Sequence, residues 1–301
     1  LTMNTTPDRP TAEIPQAQSS HIDLSLTELM RVNPTEKPDV FVAKTETYGP
    51  VGIYGGHFLG QAMAAGLATV EASKLAHSYH GYFLRAGDPA LPLHYAVTRL
   101  RESRHGDTRA ITAVQGEHKV FHMLASFKTT ETGDEHQLQA PIVEAPEAVI
   151  AAREAKGEAP FPFPVVQAGR VQMEWASPSF FEFDRNDKPA LRLWMRVAPP
   201  STSLTPRERQ IVMAYLSDGP LMFNSVLPHG VPFQSHRLTS LDQSAWFHRD
   251  ADPFEWMIFD QRSTAATAGR GMNEGQIYSQ DGRLLMTCAQ ESMLRTIVQK
   301  P

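Results

Sequence analysis

The 301 residues carry 28 Lys and Arg against 33 Asp and Glu, a net charge of −5, so no basic footprint marks the chain for nucleic acid. The single cysteine, Cys288, rules out an intrachain disulfide framework and sits in an apolar run, as a buried inert thiol does. No apolar stretch reaches the roughly 18–20 uncharged residues of a membrane helix, so the chain reads as soluble, globular and cytoplasmic.

Residues 1–20, rich in Thr, Pro, Gln and Ser, lack a signal-peptide pattern and read as a disordered tail. Ser25-x-x-Glu28 ahead of Leu29 and Met30 predicts a capping box on a short helix, and Val40 to Thr47 alternates as a strand does. Gly55-Gly56 then opens a long helix whose Phe58, Leu59, Met63, Ala64, Leu67 and Val70 recur at a spacing of three and four. Four strand-like runs follow near 79–85, 92–103, 107–115 and 119–129, which is an α+β order. Residues 131–170, with their Glu, Ala and Pro, a helical piece from Glu147 to Lys156 and a Phe161-Pro162-Phe163-Pro164 spacer, read as a linker between units at 21–130 and 171–301. The second unit opens with a strand over 191–197. Thr205-Pro206-x-Glu208 supplies a cap, a first-turn proline and a capping-box glutamate for a helix through Tyr215. Pro220 must break that helix, Leu221 to Leu227 resumes it, and four more strand-like runs close the chain, whose final Gln299-Lys300-Pro301 is not a peroxisomal Ser-Lys-Leu signal.

The chain also repeats itself. Tyr82-Phe83-Leu84-Arg85-Ala86-Gly87-Asp88-Pro89 returns as Trp246-Phe247-His248-Arg249-Asp250-Ala251-Asp252-Pro253, an offset of 247 − 83 = 164 residues, and the same offset lays 53–127 on 217–291. Three polar residues of the second half, Asp218, Ser240 and Gln290, fall opposite Tyr54, Ala76 and Ser126 at that offset. A site carried by one unit therefore belongs to the second.

Several segments resemble the acyl-CoA thioesterase II family. They are Tyr54-Gly55-Gly56-His57-Phe58-Leu59-Gly60-Gln61, the run from His77 to Asp88, Ala125-Ser126-Phe127, Leu241-Asp242-x-Ser244-x-Trp246-Phe247-His248-Arg249 and Gln280 to Gln290, in an order spanning about residues 25–296. The resemblance implies a double hotdog, in which each half wraps an antiparallel sheet around one long helix and the two sheets join. It further implies hydrolysis of acyl-CoA by an Asp, Thr or Ser, and Gln triad, which falls on Asp218, Ser240 and Gln290. The family usually has Gln at the place of His57, Pro at that of Ala86, and often Thr at that of Ser240.

The residue chemistry fits that role. Thioester hydrolysis needs an oriented water, a proton acceptor and donors for the developing oxyanion. Asp218 is the one member able to take a proton at neutral pH, and at a helix start the helix dipole should hold it ionised. Ser240 donates and accepts, and Gln290 does both through its amide. Each has a plain alternative, as helix cap, strand-edge hydroxyl or solvent-facing strand residue. Gly55 and Gly56 could leave N–H groups free for a thioester oxygen or phosphate, His57 could shift acyl-chain preference or bond a neighbouring strand, and Arg270 could meet a CoA phosphate or form an ion pair.

Other chemistry finds no support. His118-x-x-x-His122 lies on a strand, where residues four apart stand about 13 Å from each other and share no metal. No serine-hydrolase elbow, dinucleotide or phosphate-loop motif occurs, so no cofactor is expected. Acyl-CoA is the expected partner, and closing the sheet edges makes a homo-oligomer plausible. Two other readings stay open: a hotdog acyl-CoA hydratase, which would want an Asp and His pair near the helix start, and a non-catalytic acyl-CoA-binding protein.

Overall fold

The computed structural model describes residues 25–47, 52–161, 163–198 and 203–297, and the tail expected over 1–20 lies outside them, as does Pro162 of the spacer. In chain order the first unit comprises α1 (Leu26–Leu29), β1 (Val32–Pro34), β2 (Val40–Ala43), α2 (Gly55–Leu67), β3 (Lys74–Phe83), β4 (Leu93–Arg101), β5 (Gly106–Gln115) and β6 (His118–Thr129). After α3 (Pro146–Ala155) and the single turn α4 (Pro164–Gln167), the second comprises β7 (Val171–Trp175), β8 (Ala190–Val197), α5 (Pro206–Leu216), a 3-10 helix (Pro220–Ser225), β9 (His236–Ser240), β10 (Asp242–Phe247), β11 (Met257–Thr267), β12 (Arg270–Ser279) and β13 (Leu284–Thr296).

Local sequence fixes the helix starts. Both capping boxes form: Ser25 Oγ accepts the Glu28 N–H while the Glu28 carboxylate accepts the Ser25 N–H, and Thr205 and Glu208 repeat the exchange at α5. From Gly56 to Leu67 every residue of α2 is buried. Its small residues let neighbours close in, and a Cβ on Gly66 would come within 2.9 Å of the Phe127 ring.

The strands form one antiparallel sheet in the order β1-β2-β4-β5-β6-β3-β10-β13-β12-β11-β8-β7, with β9 pairing beside β10 on β13. That order is palindromic, and β3 pairs with β10 at its centre. There His80 faces Ser244, its own counterpart at the 164-residue offset, and the two side chains are hydrogen-bonded at 2.9 Å. A pseudo-twofold axis therefore passes between them. Tyr95 faces Ala113 in the first unit and, 164 residues on, Phe259 faces Ile277 in the second.

The offset slips in the last strand. Arg109 faces Ala125, whereas Asn273, 164 residues beyond Arg109, faces Gln290. The turn from Ser279 to Arg283 holds one residue more than the turn from Gln115 to His118, which moves β13 by one position. Gln290 thus corresponds to Ala125 and not to Ser126, a correction to the gapless alignment.

Two further elements depart from the sequence reading. Five strands close the chain where four runs were expected, because the segment 236–247 divides at Leu241, where Asp242 Oδ1 takes the Glu291 N–H at 2.9 Å while Leu241 O accepts the Phe83 N–H. Leu221 to Leu227 does not resume an α-helix; Pro220–Ser225 form the 3-10 helix, which packs against β11, β12 and β13 as α2 packs against its own sheet. Within 131–170, Val149 and Ile150 of α3 rest on an apolar cluster of Trp194, Trp256, Ile258, Tyr278 and Leu284, and Trp194 Nε1 donates to Glu144 O at 2.8 Å. No helix among the described residues is long and apolar enough to cross a membrane.

Candidate active site

Asp218 sits in the two-residue gap where α5 ends and the 3-10 helix begins, Ser217 being the C-cap of α5 and Pro220 the first residue of the next turn. Its carboxylate lies against the start of α2 in the other unit, where the backbone of Gly56 favours its ionised form. Gly55 lies so close that a Cβ there would stand 2.5 Å from Asp218 Oδ2 and 3.1 Å from the Phe83 ring. From β13, Gln290 Nε2 donates to Asp218 Oδ1 at 2.8 Å. The site thus takes its glycines from the first unit and its carboxylate and amide from the second.

Burial governs the carboxylate. It pushes Asp218 up from 3.8 to about 7, against the opposing pull of the Gln290 amide and the Gly56 N–H. The expectation that a helix dipole would hold Asp218 fully ionised is corrected here, because desolvation outweighs the N–H groups offered to it. A carboxyl poised near 7 exchanges a proton readily at neutral pH, which suits a general base.

Gln290 is buried, so it is not the solvent-facing strand residue that its sequence position allowed. Its Nε2 also donates to Gln243 Oε1 at 3.0 Å, which occupies both amide hydrogens and leaves Oε1 without a partner. Gln243 Nε2 in turn donates to Ser217 Oγ at 2.8 Å and to the Tyr79 hydroxyl at 3.2 Å. Tyr79 and Ser217 are themselves 2.8 Å apart, and Ser217 Oγ donates to Ala214 O at 2.8 Å. These three buried residues were not singled out from the sequence. Alternation in β10 carried the signal, since Gln243 shares the inward face with Ala245.

Ser240 ends β9 opposite Ser292 and lies on the inner face of the sheet, one diagonal step from Gln290. Its hydroxyl is in contact with Met222 Sδ at 4.0 Å, and the structure places no hydrogen bond between it and Asp218 or Gln290. The structure therefore joins Asp218 to Gln290 directly and sets Ser240 beside them.

The remaining candidates divide. The Gly56 backbone lies beside the Asp218 carboxylate and favours its ionised form. His57 is fully buried, packed edge-on against Tyr54 and Tyr215, and burial drives its pKa down to about 3, with Glu46 and Arg170 acting in opposite senses. Glu46 is thus an acidic neighbour that the sequence reading of His57 lacked, yet it is ion-paired with Arg170. Arg270 pairs with Glu291 at 2.8 Å at the exposed end of β12. Cys288 is buried and its thiol is raised well above the usual range, which keeps it protonated. Among the described residues no group of three or more His, Cys, Asp or Glu could hold a metal.

Residues 44–128 match the family model of the acyl-CoA thioesterase N-terminal domain, and residues 146–294 match that of its C-terminal domain. Acyl-CoA thioesterase 2 of Haemophilus influenzae is 30% identical over 282 residues, covering 90% of this chain and 98% of that protein. Human acyl-coenzyme A thioesterase 8 is 29% identical over 283 residues, covering 90% and 88%. An acyl-CoA thioesterase II from Mycobacterium marinum superposes with a TM-score of 0.76 at 26% identity, covering 90% of this chain and 98% of that one. A hot-dog-fold protein from Alicyclobacillus acidocaldarius gives a TM-score of 0.74 at 19% identity, which bears on the fold alone. The two units are accordingly a double hotdog of the thioester-hydrolase class. The chain belongs to the acyl-CoA thioesterase family.

Proposed function

We propose that the protein hydrolyses acyl-CoA thioesters to a free fatty acid and CoA, with a water molecule activated by Asp218, Gln290 and Ser240. One observation carries this reading: a buried carboxyl with a pKa of about 7 is bonded to an amide whose own oxygen is buried without a partner. Asp218 takes a proton from water as the water oxygen attacks the thioester carbonyl. Gln290 Oε1 accepts the second water hydrogen and so fixes the direction of attack. The tetrahedral intermediate then expels the CoA sulfur, which receives the proton from Asp218, and the carboxylate is restored.

Ser240 acts by hydrogen bonding, as a donor to the substrate or the water from its place beside Gln290, and not as a nucleophile. An unactivated hydroxyl needs an adjacent base, and the contact supplied to it is a thioether sulfur. Gly55 and Gly56 bind by leaving room, forming the floor on which Asp218 rests. His57 supports that floor from within the core, and Arg270 offers CoA phosphate a guanidinium whose present partner lies in an exposed, weakly held pair. Self-association through the edge strands β1 and β7 and a cytoplasmic location belong to the same proposal.

A hydratase reading would need His57 to reach a substrate, and the ring is buried and neutral. A purely binding protein would have no use for a desolvated carboxylate held by an amide. Release of free thiol from a panel of acyl-CoAs, followed by a colorimetric thiol reagent, tests the proposal. Thiol release that tracks enzyme concentration supports it, and stable acyl-CoA binding without release overturns it.

A further inference from the structure

Gln290 can serve the reaction just described in only one of two amide orientations. With Nε2 toward Asp218 it donates to the carboxylate and leaves Oε1 for a water hydrogen. Turned over, it would set its oxygen against the carboxylate and offer N–H groups where an acceptor is needed. The two orientations are nearly identical in shape, so packing alone does not choose between them. Hydrogen bonds must.

The buried residues behind Gln290 supply that choice. Ser217 Oγ gives its one hydrogen to Ala214 O, so toward Tyr79 and Gln243 it is an acceptor. Tyr79 therefore donates to Ser217 and keeps a lone pair for Gln243. Facing two acceptors, Gln243 must direct Nε2 to them, at 2.8 Å to Ser217 and 3.2 Å to Tyr79. Its Oε1 is then forced toward Gln290, where only an N–H is acceptable, and Gln290 Nε2 supplies it at 3.0 Å. Ser217, Tyr79 and Gln243 are fully buried, so no solvent competes for these bonds.

We propose that Gln243, held by Ser217 and Tyr79, is a positioning residue that fixes which end of the Gln290 amide faces Asp218. This rests on the catalytic reading of Asp218 and Gln290. The relay begins at the C-cap of α5 and passes through Tyr79 of the first hotdog, so both units take part in orienting one amide. The first unit does not hold the same arrangement. The counterpart of Gln243 at the 164-residue offset is Tyr79 itself, and Tyr79 faces Ala125 across β3 and β6.

Loss of the relay should be read in kcat and in its pH dependence together. When Gln290 is free to turn, Asp218 loses a hydrogen bond that favours its ionised form, so the acid limb of the kcat–pH profile should move to higher pH. Three variants probe this: Gln243→Leu, the pair Ser217→Ala with Tyr79→Phe, which keeps Gln243 but removes both its acceptors, and Tyr79→Phe alone as the mildest change. The expected result for Gln243→Leu and for the pair is a kcat about tenfold lower or more, with KM within about twofold, and an acid limb displaced upward by at least about half a pH unit. Tyr79→Phe should move the limb in the same direction by less. A purely structural role would lower the melting temperature and leave the limb in place. Folded variants with the wild-type limb overturn the relay, and if neither Gln243→Leu nor the pair folds, Tyr79→Phe decides. Asp218→Asn, assayed alongside, separates the two readings: if it is inactive while Gln243→Leu keeps the wild-type limb, only the relay fails, whereas an active Asp218→Asn removes the catalytic reading itself.

Discussion

Gln290 stands in the second hotdog where Ala125 stands in the first. Asn273 faces the one as Arg109 faces the other, and the single extra residue in the turn before β13 produces the match. At the same level of the fold one unit thus presents an amide to a buried carboxylate and the other presents a methyl group.

That asymmetry gives the first expectation. Gln290→Ala should raise the barrier by about 2–4 kcal/mol, measured as kcat/KM on an acyl-CoA. Ser126→Ala should leave turnover nearly unchanged, because Ser126 Oγ is engaged with His77 Nε2 at 2.8 Å and has no counterpart role to Gln290. Near-normal kcat/KM in a folded Gln290→Ala protein would contradict the placing of the working amide in the second unit.

The pH dependence follows from the burial of Asp218. Its folded pKa is raised to about 7, so the carboxylate that accepts the proton forms only as pH climbs through that value. The value of kcat should rise with pH through about 7 and level above it. An acid limb near 4, the ordinary carboxylate range, would show that the working base is solvated and elsewhere.

Ser240 offers a test of covalent chemistry. Ser240→Thr should remain active, Ser240→Ala should keep partial activity, and no acylated protein should accumulate in a quenched reaction examined by mass spectrometry. An acyl group trapped on Ser240 would replace the water mechanism with an acyl-enzyme.

Gly55 allows no side chain. A Cβ there would meet Asp218 Oδ2 at 2.5 Å and Asp218 Cγ at 3.1 Å, so Gly55→Ala must displace the carboxylate or the start of α2. A shift of the order of 1 Å is enough to cost roughly 10²-fold in rate, and kcat should fall by between about 10- and 10²-fold in a folded variant. Unchanged kcat would mean that the carboxylate does not work from this position.

The sequence carried the frame of this account further than its centre. Thr205-Pro206-x-Glu208 set the start of α5 from local chemistry alone, and the 164-residue offset placed β4 and β5 on β11 and β12, because turn spacing and alternation are written in consecutive residues. The one-residue slip at β13 was hidden, since a longer turn changes register without changing pattern. Asp242 puts its side chain in place of a backbone partner, which makes five strands of the four closing runs that the sequence pattern suggests. The pKa of Asp218 is set by burial, opposed by Gln290 and by the start of α2 more than 160 residues away in the chain, and no local pattern reports it. Gln243 was visible in principle as a polar residue on an inward face, but its role depends on Tyr79 from the other unit.

Asp218→Asn isolates the proton acceptor from everything else in the site. The substitution keeps the shape and an acceptor for Gln290 but removes the base. A carboxyl whose folded pKa is raised contributes its stability below the unfolded value and loses that contribution as pH rises through about 7, so the neutral amide should melt no lower than the wild type at pH 8. Thiol release from acyl-CoA by this folded protein should fall by roughly 10²-fold or more, with little change in KM. Near-normal release by the same folded variant would contradict the assignment of Asp218 as the residue that activates water.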